Sequence, residues 1–90
     1  MKVHIPSPLR SYTGRTPVEA DGGSLREVLA DLENQYKGIR FRMIDEQDGI
    51  RPHIKFFLNQ EMINDLDHAA GDQDEIHIIC AISGGGRGTR

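Results

Sequence analysis

Ile76-His77-Ile78-Ile79-Cys80-Ala81-Ile82-Ser83-Gly84-Gly85 is a strand that runs directly into two bare glycines. Side chains alternate along a strand, so Ile76, Ile78 and Cys80 are expected on one face and His77, Ile79 and Ala81 on the other. Past Ile82 there is nothing left to bury. A glycine tail resists ordering because glycine gives up the most backbone entropy on folding. Such a tail suits a partner slot too narrow for any Cβ, though taken alone it reads first as an ordinary frayed terminus. The rest of the chain has to separate these two uses.

Ninety residues make one small domain with a single modest core. The chain is 37% hydrophobic and 28% charged, a composition of soluble globular proteins. No apolar run approaches the length of a membrane span, and the start Met1-Lys2-Val3-His4 lacks a signal-peptide core, so no membrane partner and a cytoplasmic location are expected. The one cysteine, Cys80, excludes a disulfide framework and a cysteine-rich metal or iron–sulfur centre within one chain. A net charge of −3 with no basic stripe argues against nucleic acid. Arg87 and Arg90 are two of the eleven basic residues, so nine face fourteen Asp/Glu over residues 1–85, a net of −5. A body this acidic suits a basic partner surface.

Working outward along the chain, Lys2-Val3-His4-Ile5 alternates as a strand until Pro6 and Pro8 interrupt its pairing. Thr13-Gly14-Arg15 reads as a turn and Thr16 to Asp21 as a second strand, together an antiparallel hairpin. Ser24-Leu25-Arg26-Glu27 fits a capping box at a helix start. Leu25, Val28, Leu29, Leu32 and Tyr36 then recur at helical spacing, and Gly38 is the expected stop. Phe41 to Ile44 is a short apolar segment before the turn Asp45 to Gly49. Ile54-Lys55-Phe56-Phe57-Leu58 is a strong strand with Ile54, Phe56 and Leu58 on one face. Asn59-Gln60 turns it into the short strand Glu61-Met62-Ile63, and Leu66 anchors an acidic loop before the final strand. This order, strand–strand–helix–strand–short strand–strand, predicts an α+β fold in which the first and last strands lie side by side and one main helix crosses the sheet.

The order and the tail together resemble the β-grasp fold of ubiquitin, with a mixed sheet of four to five strands packed on one helix. More specifically, the chain resembles the MoaD/ThiS family of ubiquitin-like sulfur carriers over residues 1–85. The resemblance rests on the helix Leu25 to Leu32, the strand–turn Ile54 to Glu61, the loop Gly71 to Ile76, and Ala81-Ile82-Ser83-Gly84-Gly85. Phe41-Arg42-Met43-Ile44-Asp45 through Arg51-Pro52-His53-Ile54 points to its CysO-like branch, which supplies sulfide for cysteine synthesis. Three features depart from the family pattern: Asn59-Gln60 where Asn-Gly is usual, Cys80 where many relatives carry proline, and a chain that continues past Gly85.

The resemblance implies a co-substrate with no catalytic residue, cofactor or metal of its own. Its tail (Ser83, Gly84, Gly85 and Gly86) brings the Gly85 carboxyl to an ATP- and Mg²⁺-using, ubiquitin-activating-type adenylating enzyme, after which sulfur passes to a biosynthetic enzyme of the cysteine, molybdopterin or thiamine type. The same chemistry serves a ubiquitin-like modifier joined to lysines. Two or three extended residues give the tail a reach of roughly 7–10 Å. Parity puts Phe57, Ile79 and Ala81 with His77 on the outer sheet face, and Phe57, His77 and Ile79 match the isoleucine, histidine and valine of ubiquitin's recognition patch, so these four form the expected partner surface.

His4, His53, His68 and His77 show no zinc-ligand spacing. Cys80 is expected as a small buried hydrophobe on the helix side of the sheet. Asp65, Asp67, Asp72, Asp74 and Glu75 are expected as a solvated acidic loop that steers a basic partner. Gly86-Arg87-Gly88-Thr89-Arg90 masks the Gly85 carboxyl, so residues 86–90 read as a segment removed by a peptidase, for which the family offers JAMM-type zinc enzymes.

Overall fold

The computed structural model describes residues 1–81, in which the strands are β1 (Lys2–His4), β2 (Val18–Glu19), β3 (Ile54–Leu58), β4 (Glu61–Ile63) and β5 (Glu75–Cys80). They form one five-stranded sheet in the order β2-β1-β5-β3-β4. The first and last strands pair in parallel, as expected, with Val3 opposite Ile76 and His4 opposite His77. All other pairs are antiparallel. The result is the expected β-grasp arrangement, with the last strand at the centre. No helix among the described residues is long and apolar enough to cross a membrane.

The main helix, α2 (Leu25–Gln35), starts where the capping box placed it. Ser24 Oγ accepts the Glu27 N–H at 3.3 Å, but the returning glutamate bond goes to Gly23 N–H at 2.7 Å rather than to Ser24. The chain folds back over the helix end, and its carbonyls take over the remaining orphan donors: Leu25 N–H donates to His68 O and Arg26 N–H to Leu66 O. Buried Leu66 holds that loop in place. Leu25, Val28, Leu29 and Leu32 are fully buried and share one cluster with Val3, Phe56, Ile76 and Ile78 from the sheet. Each such side chain contributes about 1.5–3 kcal/mol by leaving water.

Three local expectations need correction. The β1–β2 connection is no tight hairpin turn: Ser7–Leu9 forms a 3-10 turn and Arg10–Thr13 a helical turn, α1, ended by Gly14 at φ 73°. Prolines favour helical starts over strand ladders. The second strand spans only Val18–Glu19 instead of Thr16 to Asp21, because Thr16 spends its hydroxyl oxygen on the Ile5 N–H and Pro17 has no N–H to offer. Gly38 does not stop α2, which ends at Gln35 with Tyr36 as its cap. Gly38, at φ 95°, instead opens the short helix α3 (Ile39–Met43), which takes in most of the apolar segment Phe41 to Ile44. Glu33 ties the two helices together by accepting the N–H groups of Gly38 and Arg40 at 2.9 and 3.0 Å.

Candidate functional site

The central strand β5 divides its side chains as parity requires. Ile76 and Ile78 are buried, Cys80 is only half-buried against the core where full burial was expected, because it stands at the end of the strand, and His77, Ile79 and Ala81 face outward. Beyond Cys80, Ala81 N–H donates to His53 O at 2.8 Å, the last described backbone tie before residue 82. The chain therefore leaves the sheet from its central strand, next to β3. The tail residues Ser83, Gly84, Gly85 and Gly86 lie outside the described residues.

The four expected surface residues lie on one face. Phe57 sits directly opposite His77, and Lys55 opposite Ile79, across the β3–β5 ladder. Phe57 and His77 are half-buried, Ile79 is 46% exposed, and Ala81 is exposed. Met62, 53% exposed and paired with Phe57 across the β3–β4 turn, extends the apolar strip by one strand. The two-residue turn Asn59-Gln60 fixes that pairing, so the hairpin signal already contained Met62. Phe41, 56% exposed on α3, was not singled out either; the Arg51 guanidinium lies over its ring, 4.5 Å from the centroid.

The turn departs from Asn-Gly geometry in a definite way. Asn59 takes the left-handed conformation, φ 56°, while Gln60 does not. A type I′ turn needs positive φ at both positions. Asn59 is held by its side chain, which accepts the Glu75 N–H and donates to Asp74, both at 3.0 Å. The hairpin end is thereby fastened to the start of β5.

The acidic loop spends two of its carboxylates on its own backbone and a third on the main helix. Asp65 caps the Asp67 N–H at 2.9 Å, Asp74 caps the Gly71 N–H at 2.8 Å, and Asp67 pairs with Arg26 at 2.9 Å. The Gly71 N–H and the Asn59 amide hold the Asp74 carboxyl below its ordinary range. Glu75 is drawn instead to the outer face. His4, facing outward from β1, meets its Oε1 at 2.8 Å, and this bond holds the Glu75 carboxyl below its usual range. The His77 ring stacks on His4 with centroids 4.2 Å apart and planes within 1°. Two histidines without ligand spacing in sequence are thus brought together by the parallel β1–β5 register. They line one side of a surface groove of about 450 Å³ that also touches Pro6, Arg10 and Ile79.

Known proteins share this layout. The chain is 35% identical over 89 residues to the sulfur carrier protein CysO of Mycobacterium tuberculosis, covering 92% of this chain and 96% of that protein. It superposes on a chain of the Amycolatopsis orientalis BexX/CysO complex with a TM-score of 0.86 and 31% identity, over 92% and 97% of the two chains. The small archaeal modifier protein 1 of Methanosarcina acetivorans has the same fold, with a TM-score of 0.78 at 23% identity over 92% and 93% of the chains. Residues 3–85 match the ThiS family, and the chain belongs to it, with its CysO-type members among its relatives.

Proposed function

We propose that this chain is a sulfur carrier whose Gly85 carboxyl is converted to a thiocarboxylate. The observation that carries the proposal is a 35% identity, over nearly the full length of both chains, to a protein named as a sulfur carrier. The central strand supports it, since β5 ends at Cys80 beside β3, and Phe57, His77 and Ile79 stand on the outer face of these two strands. A carboxylate resists nucleophiles because its charge repels them and oxide is a poor leaving group. In the proposed sequence, the Gly85 carboxylate attacks the α-phosphorus of ATP and releases pyrophosphate. Hydrosulfide then attacks the acyl carbon, AMP leaves, and an acyl–sulfur bond replaces the acyl–oxygen bond. With a persulfide donor the product is an acyl disulfide, which a thiol reduces to the thiocarboxylate. Mg²⁺ and the groups that stabilise the phosphate charge belong to the activating enzyme. The chain is then its co-substrate and no catalyst.

Phe57, His77, Ile79 and Ala81 are the proposed docking surface for that enzyme. That a CysO relative is found in a complex supports a protein partner of some kind. Residues 86–90 are proposed to be removed first, by a peptidase of the JAMM type, since the family match ends at residue 85. The decisive experiment incubates a chain ending at Gly85 with activating enzyme, ATP and a sulfur donor, and follows intact mass. The expected result is the gain of an oxygen-to-sulfur exchange, lost in Phe57→Asp with an unchanged far-UV spectrum. Isopeptide-linked conjugates without that gain would show a protein modifier instead. Equal adenylation of the full chain and the Gly85-ended chain would remove the processing step.

A further inference from the structure

We infer that His4, Glu75 and His77 form a binding site for one divalent transition-metal cation of the zinc type. One ligand atom from each of the three lies within 4.8 Å of the others. Both rings turn Nε2 towards the same carboxylate oxygen, at 2.8 Å from His4 and 4.0 Å from His77. A tetrahedral zinc with ligands at 2.0–2.2 Å holds them about 3.3–3.6 Å apart, so the two rings must turn out of their parallel stack to aim both Nε2 atoms at one ion. The donors stand on rigid elements: Glu75 and His77 are two apart on β5, hence on one face, and His4 is in register with His77 on the paired strand. Side chains on strands hold their relative positions better than side chains on loops.

The donor chemistry selects the cation. Two imidazoles and one carboxylate suit zinc, copper or nickel, whereas magnesium and calcium prefer all-oxygen sites. Bulk attraction is not the cause, because Lys2 pairs with Glu75 across the ladder and offsets its charge. Glu75, an ionised acceptor, requires His4 Nε2 to carry the proton of their hydrogen bond. Metal binding therefore displaces that proton, to His4 Nδ1 by tautomer exchange or to solvent, and frees the Nε2 lone pair. All three side chains are 34–46% exposed, so a cation has a path in and water can complete its coordination.

The test is a calorimetric titration of the full chain with ZnCl₂, alongside NMR of the histidine ring signals. One equivalent should bind with His4 and His77 shifting together, and magnesium in tenfold excess should not compete. His4→Asn and His77→Asn should each weaken binding at least tenfold and Glu75→Gln should weaken it severalfold, while the double variant of His53 and His68 stays within twofold of the parent. A far-UV spectrum confirms that each variant is folded; for any that is not, His4→Gln or His77→Gln takes its place. Saturable binding that survives both histidine substitutions, ring shifts centred on His53 or His68, or no saturable binding at millimolar zinc overturns the inference.

Discussion

The inner and outer faces of the sheet are made from the same strands and obey different physics. On β5, Ile76 and Ile78 are sealed against α2, while one residue further on each time His77 and Ile79 look outward. No polar or charged side chain is buried among the described residues, so the interior side chains are held by apolar contact. The perimeter is held by directional bonds: Ser24 to Glu27, Glu33 to Gly38 and Arg40, Asp74 to Gly71, His4 to Glu75. An interior of this kind should respond to changes of volume and ignore pH. A perimeter of this kind should do the reverse.

The adjacent phenylalanines test the contrast most strongly. Phe56 is fully buried and Phe57 only partly so. Phe56→Ala removes a ring from a closed core and should cost about 3–5 kcal/mol, enough to unfold much of a small domain. Phe57→Ala should cost less than about 1 kcal/mol and act on partner docking. Urea unfolding of both variants decides it, and equal losses would erase the distinction between the faces.

Gly22 marks the place where the two regimes meet. A Cβ there would come within 2.6 Å of the Val28 nitrogen and 2.8 Å of the Glu27 carbonyl carbon, both part of the backbone at the start of α2. The helix cannot yield without moving its buried stripe. Gly22→Ala should therefore lose about 1–3 kcal/mol, as overpacking does. A thermal midpoint unchanged from the parent would show that the helix start moves freely against the loop.

How legible each part was follows from the same division. The inner face could be read in the sequence because burial imposes a period on residues such as Leu25, Val28, Leu29 and Leu32, and because the box at Ser24 fixes the helix start. The outer parity of Phe57, His77 and Ile79 followed from the inner one. What could not be read is what crosses between elements. The His4–Glu75–His77 group depends on a parallel register seventy residues apart, which no local spacing encodes. The α1 turn shows no period in the sequence because Arg10–Thr13 spans only four residues. Gly38 opens α3 rather than ending α2 because a positive-φ glycine serves a helix end and a helix start equally well.

The smallest effect expected is also the one that separates the regimes by their response to acid. Glu33 accepts two backbone N–H bonds, from Gly38 first and Arg40 second, and these hold its carboxyl below the ordinary range. A carboxyl whose folded pKa lies below its unfolded one stabilises the fold while ionised. That contribution is complete above the unfolded value, about 4.3 for glutamate, and is lost as pH falls through the lower folded value. Glu33→Gln keeps the shape, removes the charge and weakens both acceptor bonds. The variant should be modestly less stable than the parent at about pH 6, and the gap should narrow as pH falls below the unfolded value and through the parent's lower folded one. Phe56→Ala, measured in parallel, should show a loss that does not change across that range. A Glu33→Gln gap as flat as the Phe56→Ala one would mean that the junction of α2 and α3 is held by packing, and that the perimeter follows the rules of the core.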